Sequence, residues 1–205
     1  KKNDFKGVDI VCDLNGIPND PSSELNKKYT WLVNYFARKK FAELAKKSGI
    51  KRFIFNSTCA VYGYNKNTVF ENSKTNPLST YAKANLKAEK AIFKIKDKNF
   101  KVNILRNSTL FGFSQNLRLD LVINIFVNSF SKNRRLSVNG NGNQWRPFIS
   151  LTDVAKIYDR IIENNNYPSF IINLVAFNST IREIAYKIVR YFKGTKGQIE
   201  FIKKN

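Results

Sequence analysis

RFIFNSTCAVYG (Arg52–Gly63) and NPLSTYAKANLKAE (Asn76–Glu89) are the two pieces of this 205-residue chain that decide its fold. In the first, Phe53-Ile54-Phe55 is an unbroken apolar run, the pattern of a strand buried on both faces of a parallel sheet. It ends in Asn56, Ser57 and Thr58, small residues with hydrogen-bonding side chains. In the second, Ser79 or Thr80 suits a helix N-cap, which predicts a helix from Ser79 to Lys96 with Tyr81 in its first turn.

The pattern extends outward on both sides. Upstream, Val8–Leu14 (VDIVCDL) reads as a buried strand, Asn15-Gly16 punctuates it, and Pro18–Asn26 reads as a polar loop. Lys28–Lys47 has helical period, with Trp31, Val33 or Asn34, Phe36, Phe41, Leu44 and Ala45 on its inner face and Gly49 closing it. Downstream, Phe100–Arg106 is another strand. Strands alternating with helices predict an α/β fold: a Rossmann-type, doubly wound parallel sheet. The second half reads as a polar loop (Thr109–Asn116), a helix (Asp120–Ser131), a strand (Arg135–Val138) and a turn at Asn139-Gly-Asn-Gly. A strand (Pro147–Ser150), a helix from Thr152 to Asn164 and a strand (Ser169–Leu174) follow. Thr180 caps a helix to Phe192, and Gln198–Ile202 is the last strand. Residues 1–115 are assigned to the sheet domain, and 116–205 to a small, incomplete α/β C-terminal lobe together with elements that return to the sheet.

Composition removes several function classes. The chain has no His, which excludes His-based triads and the usual zinc constellations, and no metal site is expected. Cys12 and Cys59 lie in apolar strand-like segments and read as free thiols of a reducing compartment, so a cytoplasmic location is expected. No apolar run approaches the length of a membrane span. The net charge of +21 invites a nucleic-acid partner, but the Lys and Arg residues are dispersed with no aromatic-interleaved stripe, so none is expected. The chain begins at Lys1 and contains no Met, which reads as an internal piece of a longer protein.

Single residues leave the chemistry open. Tyr81 reads either as a half-buried surface-helix residue or as a general acid/base whose pKa of about 10 is drawn towards neutrality. Arg146 is either a strand surface charge or an anion ligand, and Arg118 either a helix-start surface charge or a second such ligand. Asp153 is a helix N-terminal charge.

The ordered set of motifs resembles the extended short-chain dehydrogenase/reductase family, in its NAD-dependent sugar-nucleotide epimerase/dehydratase branch. Ser57-Thr58-Cys59-Ala60-Val61-Tyr62-Gly63 and Pro77-Leu78-Ser79-Thr80-Tyr81-Ala82-Lys83 are similar to its strand end and active-site segment. Asn34, Leu105-Arg106 with Phe111-Gly112, Gln144-Trp145-Arg146-Pro147-Phe148-Ile149 and Asp153-Val154 match further motifs over Val8–Phe192. The resemblance implies epimerisation, dehydration or reduction of a nucleotide-activated sugar by tyrosine acid/base catalysis and hydride transfer. NAD is the implied cofactor, with NADP as the alternative, and the partners implied are the nucleotide sugar and a second subunit in a homodimer. It implies catalytic roles for Tyr81, Thr58, Asn85 and Asn34. Leu14, Asn15, Gly16, Ser57, Asn107 and Ser108, with Tyr81 and Asn85, would meet the cofactor; Thr58, Thr109, Arg118 and Arg146 would meet the substrate.

Two departures stand out. No G-x-x-G-x-x-G loop is present, and the first strand resembles the family's fourth; a missing segment of about sixty residues is expected on the N-terminal side and further lobe on the C-terminal side. Tyr81 is followed at i+4 by Asn85, where the family has a Lys that holds the ribose and lowers the tyrosine pKa. An amide bonds hydroxyls but brings no charge, and a cation about 4–5 Å away is worth roughly 3–4 kcal/mol at an effective dielectric near 20. The alternative implied is a catalytically impaired nucleotide-sugar or dinucleotide-binding protein of the same fold.

Overall fold

The strand Arg52–Thr58 lies inside a four-stranded sheet, and its composition accounts for that position. A computed structural model of the protein describes residues 5–202. In chain order come β1 (Ile10–Asp13), α1 (Asp20–Leu25), α2 (Lys27–Trp31), a π-helical turn (Leu32–Ala37), α3 (Arg38–Lys47), β2 (Arg52–Thr58), a 3-10 turn (Cys59–Tyr62), α4 (Thr80–Lys94) and β3 (Lys101–Asn107). Then follow β4 (Thr109–Phe111), α5 (Val122–Asn133), β5 (Leu136–Asn139), β6 (Trp145–Ser150), α6 (Leu151–Glu163), β7 (Phe170–Leu174), β8 (Phe177–Thr180), α7 (Ile181–Tyr191) and β9 (Ile199–Ile202).

The described residues form two compact units, 5–107 with 160–174, and 108–159 with 175–202. In the first, β1, β2, β3 and β7 form an all-parallel sheet in that order. Phe53 and Phe55 of β2, Val102 and Ile104 of β3, and Val11 of β1 pack with Ala42, Ala45, Ala88, Ile92 and Phe100 in one core. In the second, β4, β6 and β8 make a three-stranded sheet and β5 pairs with β9. Its core holds Phe126, Phe130, Phe148, Ile184 and Ile188, and α7 starts with a capping box, Thr180 with Glu183.

Several expectations are corrected here. Pro18–Asn26 is not all loop: the Asn19 side chain accepts from Ser22 N at 2.9 Å, and Pro21 sits in the first turn, so α1 forms. Thr109–Phe111 is not loop but β4, paired with Phe148–Ser150. Strand β8 escaped the reading and pairs antiparallel with β6. The first of the two compact units breaks off after Asn107, where β4 begins and pairs with β6.

The largest correction concerns the helix before β2. Its inner face is only partly the set read from the sequence. Asn34 and Ala45 are buried and Phe41 packs on the core, but Phe36 is 56% exposed, and Thr30, Arg38 and Ala42 are buried in addition. The π-helical turn widens the repeat and places residues four apart on the inner face, so two polar side chains, Asn34 and Arg38, enter the interior.

Gly63 ties the two deciding pieces together. Its φ is +65°, and a Cβ there would stand 2.0 Å from the Asn76 carbonyl oxygen, so only glycine fits this close approach. The Asn76 N–H in turn donates to Val61 O at 3.1 Å, which leads the chain from the end of β2 into α4.

Candidate active site

In parallel α/β sheets ligands gather beyond the C-terminal ends of the strands. Here those ends carry Asp13 on β1 with Asn15 just beyond it, Thr58 on β2 and Asn107 on β3, with Thr58 and Asn107 directly paired in register. Thr58 is nearly buried, and its Oγ1 accepts from Ala60 N at 3.1 Å, capping the 3-10 turn. Asn107 Nδ2 donates to Asn56 Oδ1, while Asn107 Oδ1 is buried without a hydrogen-bond partner. Ser108 Oγ, next along the chain, is the other such atom among the described side chains. A buried acceptor without a donor costs about 1–3 kcal/mol, a cost that a polar ligand removes.

Asn34 acts on the loop after β1. Its Oδ1 accepts from Ile17 N at 2.7 Å and its Nδ2 donates to Ile17 O at 3.0 Å. A Cβ on Gly16 would come within 3.2 Å of that Oδ1, so the loop lies tight against the helix. Leu14, Asn15 and Gly16 are exposed on it, with Asn15 N donating to Asp13 Oδ1.

Tyr81 stands half-buried in the first turn of α4, which Ser79 caps by accepting from Ala82 N at 3.1 Å. Its backbone N–H donates to Ser23 Oγ on α1, and Thr80 N donates to Glu24 Oε1. Asn85 is 1% exposed. Its Nδ2 donates to Tyr81 O at 2.9 Å, and its Oδ1 accepts from Arg38 Nη1 at 2.9 Å. Both ends of the amide therefore engage protein atoms, unlike the ribose contact expected of it. Lys83 and Lys87 are exposed.

Ser57 also differs from expectation. It belongs to an interior network, where its Oγ donates to Glu89 Oε1 at 2.5 Å. Arg106 grips Glu89 through Nε and Nη2, and its Nη1 donates to Tyr62 OH at 2.7 Å. Burial, the largest influence, works against the Arg106 charge, but the hydrogen bonds and charge of Glu89 outweigh it and the pKa is raised. Burial pushes the Cys59 thiol up to about 12, so it is no nucleophile.

The remaining candidates lie in the second unit. Thr109 is half-buried on β4. Arg118 donates through Nε to Asp120 Oδ1 at 3.0 Å, and exposed Arg146 donates to Trp145 O at 3.0 Å. Sequence reasoning missed Asp13 and Arg38, whose side chains form a buried ion pair at 2.8 Å. Arg38 lies four residues after Asn34, the one signal that pointed inward. Among the described residues no cluster suits a metal ion, and no helix is long and apolar enough to cross a membrane.

The chain is 30% identical over 203 residues to a putative UDP-glucose 4-epimerase of Methanocaldococcus jannaschii, covering 97% of this chain and 65% of that protein. It is 28% identical over 196 residues to the uncharacterized UDP-glucose epimerase YtcB of Bacillus subtilis, covering 95% and 60%. It thus spans less than two thirds of the length of these relatives. The solved UDP-N-acetylglucosamine 4-epimerase from Methanobrevibacter ruminantium M1, in complex with UDP-N-acetylmuramic acid, superposes with a TM-score of 0.88 at 24% identity. That match covers all of this chain and 66% of the solved one, and shows the shared fold. A family model described as the NAD dependent epimerase/dehydratase family matches residues 2–174, and the chain belongs to that family.

Proposed function

We propose that the full-length protein is a NAD-dependent epimerase or dehydratase acting on a nucleotide-activated sugar. The observation that carries this reading is the pairing of Thr58 with Asn107 at adjacent strand ends, where Asn107 Oδ1 is buried and lacks a hydrogen-bond partner. Such an atom fits the polar end of a bound dinucleotide. Asn15 and Gly16, on the loop that Asn34 holds, together with Asn107 and Ser108, would line the cofactor. NAD, when bound, supplies the hydride acceptor and later the hydride donor. Tyr81 takes the proton from the sugar hydroxyl that becomes a carbonyl and returns it afterwards, while Thr58 hydrogen-bonds the same oxygen. Arg146, Arg118 and Thr109 would serve the substrate, since an arginine fork suits a diphosphate. Ser57, committed to Glu89, has no direct role in this reading. The uncharged amide at Asn85 favours a second reading, a protein that binds nucleotide sugar without converting it.

Incubating the full-length protein with NAD and UDP-glucose or UDP-N-acetylglucosamine, and following the sugar by proton NMR, tests both. Inversion at C4, or oxidation at C4 followed by loss of water from the neighbouring carbons with the hydride returned, is expected. Saturable binding without conversion would establish the second reading, and neither outcome would sink both.

The homodimer rests on a stripe of exposed side chains at helical spacing: Tyr29 (55%), Leu32 (54%) and Phe36. We place the second subunit there. Phe36→Glu is expected to convert a dimer to a monomer in sedimentation equilibrium of the full-length protein; a monomeric parent protein would refute the placement.

A further inference from the structure

Arg38 is a buried charged side chain at the edge of the candidate site, with every nitrogen of its guanidinium engaged. It is 4% exposed. Its Nε donates to Asp13 Oδ2 at 2.8 Å, and its Nη2 to Asp13 O at 3.2 Å and Asn56 O at 2.8 Å. Its Nη1 donates to Asn85 Oδ1 at 2.9 Å, and the guanidinium carbon lies 3.9 Å from the centre of the Phe55 ring. One planar group thus joins the ends of β1 and β2 to α4. A fixed fork of donors can do this and a lysine cannot.

The orientation matters. Arg38 offers only donors and the Tyr81 carbonyl only accepts, so the Asn85 amide has one arrangement: Oδ1 to Arg38, Nδ2 to Tyr81 O. The Nε–Nη2 edge of the guanidinium faces the Asp13 carboxylate and carbonyl, and the Nη1 corner faces α4. The ion pair is neutral overall, but its positive end is turned to the helix face that residues 81 and 85 share. A phenol serving as an acid/base near neutral pH needs a positive charge close by. Asn85 has none, yet it carries one at the tip of its side chain by hydrogen bond.

We propose that Arg38, mounted on Asn85, supplies the positive charge that draws the Tyr81 phenol towards neutrality. It is a positioning residue that acts on Tyr81 and does not itself meet the substrate. The inference rests on the reading of Tyr81 as the acid/base. Of the other charges on elements packed against α4, Lys28 of α2 and Lys40 and Lys47 of α3 are exposed to solvent, and Lys39 and Lys46 of α3 pair with Glu43 and Asp97. Asp20 and Glu24 of α1 receive hydrogen bonds from Ser79 and Thr80, and Glu24 pairs with Lys27 of α2. These carboxylates raise a neighbouring phenol's pKa. Arg106 of β3 is locked to Glu89, and the Cys59 thiol and Tyr62 phenol beyond β2 are kept protonated chiefly by burial.

The test is a titration of Tyr81 itself. Full-length protein labelled with carbon-13 at the tyrosine Cζ gives one resonance that is missing in Tyr81→Phe. Asp13→Asn with Arg38→Gln removes both charges together, so no buried carboxylate is left alone. The Tyr81 pKa is expected to rise by about one unit or more in this variant and to fall again when Asn85→Lys is added. An unchanged value in a folded double variant would overturn the proposal. The single variant Arg38→Lys serves if the double variant does not fold: it keeps a cation for Asp13 but withdraws the Nη1 donor from Asn85, so the Tyr81 pKa should rise by about half a unit or more, and an unchanged value would overturn the proposal. Turnover of Tyr81→Phe separately decides the acid/base role, since the titration reads the charge whether or not the phenol is catalytic.

Discussion

Tyr81→Phe in the full-length protein is expected to reduce conversion of the nucleotide sugar by about 10²–10⁴-fold, the usual contribution of a positioned acid/base. The substitution deletes one oxygen and keeps the ring. Tyr81 is half-buried at the start of α4, and two of the bonds that place this turn are made by its backbone: Tyr81 N to Ser23 Oγ and Tyr81 O from Asn85 Nδ2. Phenylalanine preserves both. The helix start therefore keeps its shape, and the effect should fall on turnover rather than on folding or on substrate affinity. Rates under saturating UDP-sugar, with the thermal midpoint of both proteins, separate these contributions. A variant that converts substrate as fast as the parent would remove Tyr81 from the chemistry. The same loss at an unaltered midpoint would locate the proton transfer at the phenol.

How much of this site was legible follows from where its information lies. Strands β2 and β3 announce themselves by continuous apolar runs, since both faces are covered. Ser79 as N-cap and Tyr81 in the next turn are equally local. Asn34 was found through a motif, and its contact with Ile17 gives it a physical role. What stayed hidden depends on distant partners. Arg38 looks like one more surface lysine or arginine in RKKFAELAKK until the π-helical turn rotates it inward against Asp13, 25 residues earlier. Asn85 looks like a lost cation until Arg38 is beside it. Ser57 looks free until Glu89, on the next helix, is seen to take its hydroxyl. Strand β8 is too short to show a period, and only its pairing with β6 defines it.

The second large effect concerns stability. Glu89→Ala is expected to lower the unfolding free energy by about 3–5 kcal/mol, because it leaves a buried guanidinium without its counter-charge. Glu89 is 1% and Arg106 5% exposed, so water does not replace what the carboxylate gave. Two Arg106 nitrogens donate to Glu89, as does Ser57 Oγ, and all three lose their acceptor together. The damage spreads along a chain of bonds: Arg106 Nη1 holds Tyr62 OH, and Tyr62 OH donates to Asn173 Oδ1 on β7 at 2.7 Å. Urea unfolding of the full-length protein measures the loss. The double variant Glu89→Leu with Arg106→Met tests its cause. If the penalty is an uncompensated buried charge, replacing both partners by apolar residues of similar size should recover most of it, to within about 1–2 kcal/mol of the parent. If the double variant is as unstable as Glu89→Ala, the network is needed for its shape, pinning α4 to β2 and β3, and its charges matter less. A loss below about 1 kcal/mol in Glu89→Ala would mean that water reaches Arg106 and that the pair contributes no more than a surface bridge. The two variants thus separate the charge of the pair from the position it gives to the helix that carries Tyr81.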